Sequence, residues 1–319
     1  MRKRFAPLIM GLTLLALIAA ACGDNGTSSN DALKNLTGDI VADGSSTVFP
    51  ITQAISEEFR KSASQVKVSV GTSGTGGGFK RFCNGETDIS DASRPIKDEE
   101  KTLCTGKAIE YVELKIALDG ISVVVNKANN FVDCLTTAEL KKIWEPNSKI
   151  NNWKDVRAGF PDKALKLFGP GTDSGTFDFF TEKINGTAKA SRTDYTPSED
   201  DNVLVQGVAG DTTGGYMAYF GFSYYEQNTD KLKVLGVDDG SGSGCITPSP
   251  DTINSGTYKP LSRPLFIYVK KASISKPQVK AFVTYYLDKV NGILADVGYV
   301  KLHTDDFTST KQTWTTATA

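Results

Sequence analysis

Apolar positions along the chain recur with two alternating periods. Val66, Val68 and Val70 alternate with Lys67 and Ser69, the period-two signature of a strand, and residues 39–42 read as a short strand ahead of it. Between the two, Ile51, Ala54, Ile55 and Phe59 recur at helical spacing. Pro50 falls in that helix's first turn, where its missing N–H costs nothing. Further along, the pattern predicts a helix over 79–83, a strand over 87–92, a polar helix over 97–103 and strands over 108–114 and 120–126. Val123-Val124-Val125 has no polar alternation, which suits a strand covered on both faces. Thr136 with Glu139 three residues on is a capping box that opens a helix to Trp144, and Pro146 stops it. A strand follows at 165–168, then helices at 176–184 and 203–208, a strand at 265–269 and a helix at 277–290. On that last helix Val279, Phe282, Val283, Tyr286 and Leu287 share one side. Strands alternating with helices predict an α/β protein with largely parallel sheets.

The first residues stand apart from this pattern. Arg2, Lys3 and Arg4 precede an apolar run over 8–21, interrupted by Thr13, that ends in Ala19-Ala20-Ala21-Cys22. Some 14 apolar residues span roughly 20 Å as a helix, short of a hydrocarbon core of about 30 Å. The segment 1–21 therefore reads as a signal peptide. Cys22, directly after three small residues, reads as the lipidation site of a bacterial lipoprotein, although Ala19 stands where Leu or Val is commoner. Residues 22–37 read as the lipidated cysteine and a flexible tether. The destination is extracytoplasmic: the periplasm or the outer face of the cell membrane.

Export changes the reading of the cysteines. Cys83, Cys104, Cys134 and Cys245 allow three pairings in an oxidising compartment, and the favoured one joins Cys83 to Cys104 and Cys134 to Cys245. None of them sits at C-x-x-C spacing, which argues against zinc. Composition then narrows the partners. The full chain has 36 basic and 37 acidic side chains; without the leader the balance is 33 to 37, a net −4. Such a chain is not expected to grip a nucleic-acid backbone. With a single histidine, His303, there is little to build a metal cluster or an activated nucleophile, so neither an enzyme nor a metal or cofactor is expected.

Glycine, serine and threonine concentrate in three loops, each predicted to leave a strand and open a helix: 43–50, 71–79 and 169–177. Each puts hydroxyls and unhindered N–H groups at a helix N-terminus, where unpaired donors and the helix dipole favour an oxyanion. The P-loop pattern is broken by Gly78-Phe79-Lys80-Arg81, and the nucleophile elbow by Thr75 in the place of its last glycine. Beside these loops Arg94, in Ser90-Asp91-Ala92-Ser93-Arg94-Pro95, offers a planar fork of donors suited to phosphate.

Five segments in this order, Gly44-Ser45-Ser46-Thr47-Val48-Phe49-Pro50, Gly76-Gly77-Gly78, residues 88–95, Asp173-Ser174-Gly175-Thr176 and Leu261-Ser262-Arg263-Pro264-Leu265, resemble the periplasmic phosphate-binding protein of bacterial high-affinity phosphate ABC transporters. The resemblance covers residues 38 to 303. It implies a two-lobed periplasmic-binding-protein fold of type II, each lobe a mostly parallel sheet flanked by helices. Residues 38–118 with 260–319 would form one lobe and 119–259 the other, with hinges near Leu118-Asp119 and Pro260-Leu261. It also implies a monomer that closes on one inorganic phosphate and passes it to membrane permease subunits, while a lipid anchor holds it to the membrane. Carried over residue by residue, the phosphate-binding set is Ser46, Thr47 and Val48, Ser73 or Thr75, Ser93 and Arg94, and Ser174, Gly175 and Thr176. The family's best-known branch has Asp at the position of Ser93 and Arg just ahead of the third loop, where this chain has Pro170. Arg94 takes over the arginine. The acceptor of the phosphate proton falls to Asp173, with Asp91 as second candidate. The rival readings are a binding protein for sulfate, molybdate or tungstate, and an extracytoplasmic phosphatase.

Overall fold

The computed structural model describes residues 33–172, 174–198 and 200–319. The leader, Cys22 and Asp173 lie outside the described residues. Strands β1 (Gly38–Gly44), β2 (Val66–Val70) and β3 (Ile89–Ala92) alternate with helices α1 (Phe49–Ser62), α2 (Gly74–Cys83) and α3 (Asp98–Gly106). A long strand, β4 (Tyr111–Asn126), leads into the second half: β5 (Cys134–Thr136), α4 (Thr137–Trp144), β6 (Lys166–Pro170), α5 (Gly175–Phe180), β7 (Thr196–Ser198), α6 (Asp201–Ala209), β8 (Tyr216–Gly221), α7 (Phe222–Glu226), β9 (Leu232–Val234), β10 (Gly236–Asp238) and α8 (Pro250–Asn254). The chain returns through β11 (Ser262–Lys270) and ends in α9 (Pro277–Ile293) and α10 (Thr304–Thr318).

A nine-stranded sheet runs β2-β1-β3-β11-β4-β8-β6-β7, with β9 also on β4, while β5 and β10 pair separately. The strands expected at 108–114 and 120–126 are one continuous strand. Its first part pairs with β11, and beyond residue 120 it pairs with β8 and β9. The expectation of largely parallel sheets is corrected to a mixed one. β1 is parallel to β2 and β3, and β6 to β7 and β8, but β11 is antiparallel to β3 and β4, and β4 to β8 and β9. The reason is topological: a chain that leaves one lobe along β4 and comes straight back beside it must run the opposite way. A third segment joins this crossing, since Leu118 and Val300 exchange backbone hydrogen bonds of 2.9 Å in both directions.

Two apolar cores flank the crossing. In the first, Ile51, Ile55 and Phe59 of α1 meet Val279, Phe282, Val283 and Tyr286 of α9, all fully buried; Phe59 stands edge-on to Phe282 at 5.3 Å. The helical spacing read from both segments is the cause, because it lines these residues along facing stripes. In the second, Trp144, Trp153, Phe180 and Tyr219 pack with Val123 and Val125 of β4. Leu33 and Leu36 pack against the first core. Both favoured disulfides are present, Cys83–Cys104 between α2 and α3, and Cys134–Cys245 from β5 to the loop after β10. Among the described residues no helix is long and apolar enough to cross a membrane.

Candidate functional site

The three loops do leave strands and open helices: β1 to α1, β2 to α2 and β6 to α5. The first turns with Gly44 at φ +144°, where an added Cβ would lie 2.1 Å from the Asp91 carbonyl oxygen, so a side chain is excluded. Asp43, fully buried, joins the first loop to the second. Its Oδ1 accepts from the backbone N–H groups of Gly44 at 2.8 Å and Ser73 at 2.9 Å, and its Oδ2 from Arg81. Burial pushes the Asp43 carboxyl up, but the Ser73 N–H and Arg81 outweigh it and hold the group below its ordinary value. Neither α1 nor α2 has a side-chain cap on its first turn. In α1 the first N–H groups are spent locally, since Phe49 donates to the Ser45 carbonyl at 3.0 Å, Pro50 has no N–H and Ile51 donates to the Val48 carbonyl at 3.0 Å, so what this loop offers a ligand is its hydroxyls.

The second loop is tied to the turn after β3. The hydroxyls of Thr75 and Ser93 lie 3.1 Å apart, and Thr75 Oγ1 also accepts from the Ser93 N–H at 3.2 Å. Arg94 faces the same cavity, but its fork is engaged by Glu100 through bonds of 2.8 and 2.7 Å. The Asp91 carboxyl is fully buried and lines neither cavity described below; burial pushes it up to about 7, with the Thr52 hydroxyl giving partial relief.

From the other lobe, Ser174 caps α5 by accepting from the Thr176 N–H at 3.2 Å. Gly175 meets the first loop. A Cβ there would fall 2.5 Å from Thr47 Oγ1 and 3.0 Å from Thr47 Cα, so the two lobes touch at this point. Beyond α5 the expected helix to 184 continues as a wider π turn over Thr181–Asn185, where Thr181 Oγ1 donates back to the carbonyls of Phe177 and Asp178.

Two cavities, of about 740 and 660 Å³, lie on either side of this contact, and Ser46, Gly74, Gly175 and Asp178 line both. Ser73, Ser174 and Thr176 line the first; Thr47, Thr75, Ser93 and Arg94 line the second. Val48 is buried beneath the first loop and reaches neither.

Residues 26–290 of this chain match the PBP superfamily domain. Protein SphX of Synechococcus elongatus is 50% identical over 275 residues, covering 86% of this chain and 80% of that protein. The phosphate-binding protein PstS of Staphylococcus saprophyticus is 43% identical over 296 residues, 92% of this chain and 88% of its own. The chain belongs to the PstS phosphate-binding protein family. Its fold agrees: the crystal structure of a possible phosphate binding protein from Planctomyces limnophilus superposes with a TM-score of 0.85 at 48% identity, covering 89% of this chain and all of that one.

For this PstS family member, three site residues escaped the reading of the sequence. Asp178 follows the third loop and lines both cavities, with Oδ1 buried and without a hydrogen bond; burial raises its carboxyl, and Lys189, 3.9 Å away, and Arg263 offset part of the rise. Arg263, in the Ser262-Arg263-Pro264 segment, donates through Nη2 to Thr47 Oγ1 at 2.8 Å and through Nε to Asp119 Oδ2 at 3.0 Å. Asp119 is the third, a buried carboxylate raised by burial and only partly relieved by Arg263. The clue for these two was a charge at each predicted hinge.

Proposed function

We propose that this chain is the extracytoplasmic substrate-binding component of a phosphate ABC importer and that it holds orthophosphate where its two cavities meet. The observation that carries the reading is the convergence of Ser46, Gly74 and Gly175, from three separate strand-to-helix loops, on one place between the lobes. Hydroxyls and N–H groups at helix N-termini supply the donors that an oxyanion needs. In this reading Ser46, Thr47, Ser73, Thr75, Ser93, Ser174, Gly175 and Thr176 surround the anion, and Val48, whose N–H donates to the Ser45 carbonyl at 3.2 Å, supports the first loop from beneath. Arg94, held by Glu100, adds positive field from the rim.

Most of the nearby cations are paired with a carboxylate, Arg94 with Glu100, Arg263 with Asp119, Lys189 with Asp178 and Lys183 with Glu182, while Lys97 also lines the second cavity. Binding therefore rests mainly on neutral, fixed dipoles. Asp178 is the acceptor of the phosphate proton in this account, because it lines both cavities and its Oδ1, 3.9 Å from Lys189, accepts no hydrogen bond. Hydrogen phosphate can donate to it, whereas sulfate carries no proton at neutral pH and meets repulsion. Asp173, outside the described residues, is the second candidate.

The PstS relatives are named as binding proteins, and the residues that meet here bind rather than react; the chain delivers its ligand to permease subunits as a monomer, tethered to the membrane through Cys22. Equilibrium dialysis with radiolabelled phosphate tests the ligand: arsenate should displace it, and sulfate, molybdate and tungstate should not. Displacement by sulfate at equal concentration would overturn the phosphate reading in favour of a general oxyanion carrier.

A further inference from the structure

Arg263 occupies an unusual place. It lies on β11 in register with Asp119 of β4, where the chain crosses between the lobes. Asp119 is buried, and its one accepted bond fixes the guanidinium through Nε at 3.0 Å. From this fixed point Nη2 donates to Thr47 Oγ1 at 2.8 Å in the first loop and reaches the Gly175 carbonyl at 3.4 Å at the start of α5. The guanidinium also stacks over the ring of Phe179, 3.8 Å from its centroid. Tyr299, on the third crossing segment, supports the same loop by donating to the Thr47 carbonyl at 2.6 Å.

These contacts divide into two sets. Asp119 and Thr47 belong to the hinge and the first lobe, and stay with Arg263 whatever the second lobe does. Gly175 and Phe179 belong to α5, and their contacts exist only while the lobes are together. A contact made in one state and not in the other shifts the balance between them. We propose that Arg263 is a positioning residue that latches the closed form, so that docking of α5 on the guanidinium and completion of the phosphate site are a single event. The planar guanidinium suits such a latch, since stacking on an aromatic ring while donating in-plane is available to Arg and not to Lys.

The inference rests on the phosphate reading, so inorganic phosphate is the probe and the intact wild-type chain is measured first. Stopped-flow association and release are then followed for Arg263→Lys and Phe179→Leu. A latch acts after encounter: release should quicken tenfold or more in both variants, with association within threefold of wild type. Phe179→Leu leaves the Arg263–Asp119 pair intact and carries the test should Arg263→Lys fail to fold. Release at the wild-type rate in a folded variant would overturn the latch, and so would a loss confined to the association rate, the mark of a steering charge. A wild-type chain that takes up no phosphate would overturn the reading beneath it instead.

Discussion

Asp178, half-buried, and Asp91, fully buried, are two carboxylates with different consequences. Asp178 lines both cavities and its Oδ1 accepts no hydrogen bond, so its charge acts on the ligand. Asp178→Asn should narrow the preference for phosphate over sulfate by tenfold or more, in line with the roughly 1–3 kcal/mol attached to one unpaired buried polar group. Competition binding measures it, and an unchanged preference would move the role to Asp173. Asp91 acts on stability instead. At low pH the folded and unfolded chains both keep its proton; as pH rises the unfolded chain releases it near the ordinary aspartate value, while the folded chain holds it up to about 7. Native stability from this group therefore falls between those two values and levels off above. Asp91→Asn should be more stable than wild type at pH 8, with the difference vanishing near pH 4, as read by urea unfolding at both. Neither environment was legible in the sequence, where Asp91 sits inside the segment 88–95 and Asp178 just beyond the third loop. Which face of a strand or helix meets the cleft depends on packing between distant segments.

Elements were easier to read than their joins. The stripe on α9 and the Thr136–Glu139 box were both legible, because each depends on neighbours within one or two turns; Thr136 Oγ1 accepts from the Glu139 N–H at 3.1 Å and Glu139 returns the bond at 2.8 Å. β4 was read as two strands, over 108–114 and 120–126. In the fold the backbone stays extended there, and Gly120 makes room for Ile253, whose Cδ1 would lie 2.6 Å from an added Cβ. Arg263 went unassigned for the same reason, since its partner Asp119 is 144 residues away. The close approach of α5 to the first loop yields a test at this scale. Gly175→Ala should cost at least tenfold in phosphate affinity, because its methyl would meet Thr47 Oγ1 and backbone, while the melting temperature changes little. Normal affinity would mean that the lobes need not touch there. The Cys134–Cys245 bond closes a separation of 111 residues, for which loop entropy gives about 4–5 kcal/mol. The Cys134→Ser/Cys245→Ser double variant should unfold at clearly lower denaturant, and an unchanged midpoint would contradict that contribution.

At the scale of the whole molecule, near-neutral composition and a balanced cleft say the same thing. With 36 basic and 37 acidic side chains in all, and with Arg94, Arg263, Lys189 and Lys183 at the cleft each paired with a carboxylate, little long-range field draws an anion in. Capture falls to the three strand-to-helix loops and their hydroxyls, which work at contact distance and only when the lobes are together. Calorimetric titration of the chain beginning at residue 23 tests this mode of capture. Phosphate should give a saturating heat at one site per chain with affinity nearly unchanged by added neutral salt, and sulfate should give none. No heat with phosphate, or equal binding of the two anions, would contradict the account.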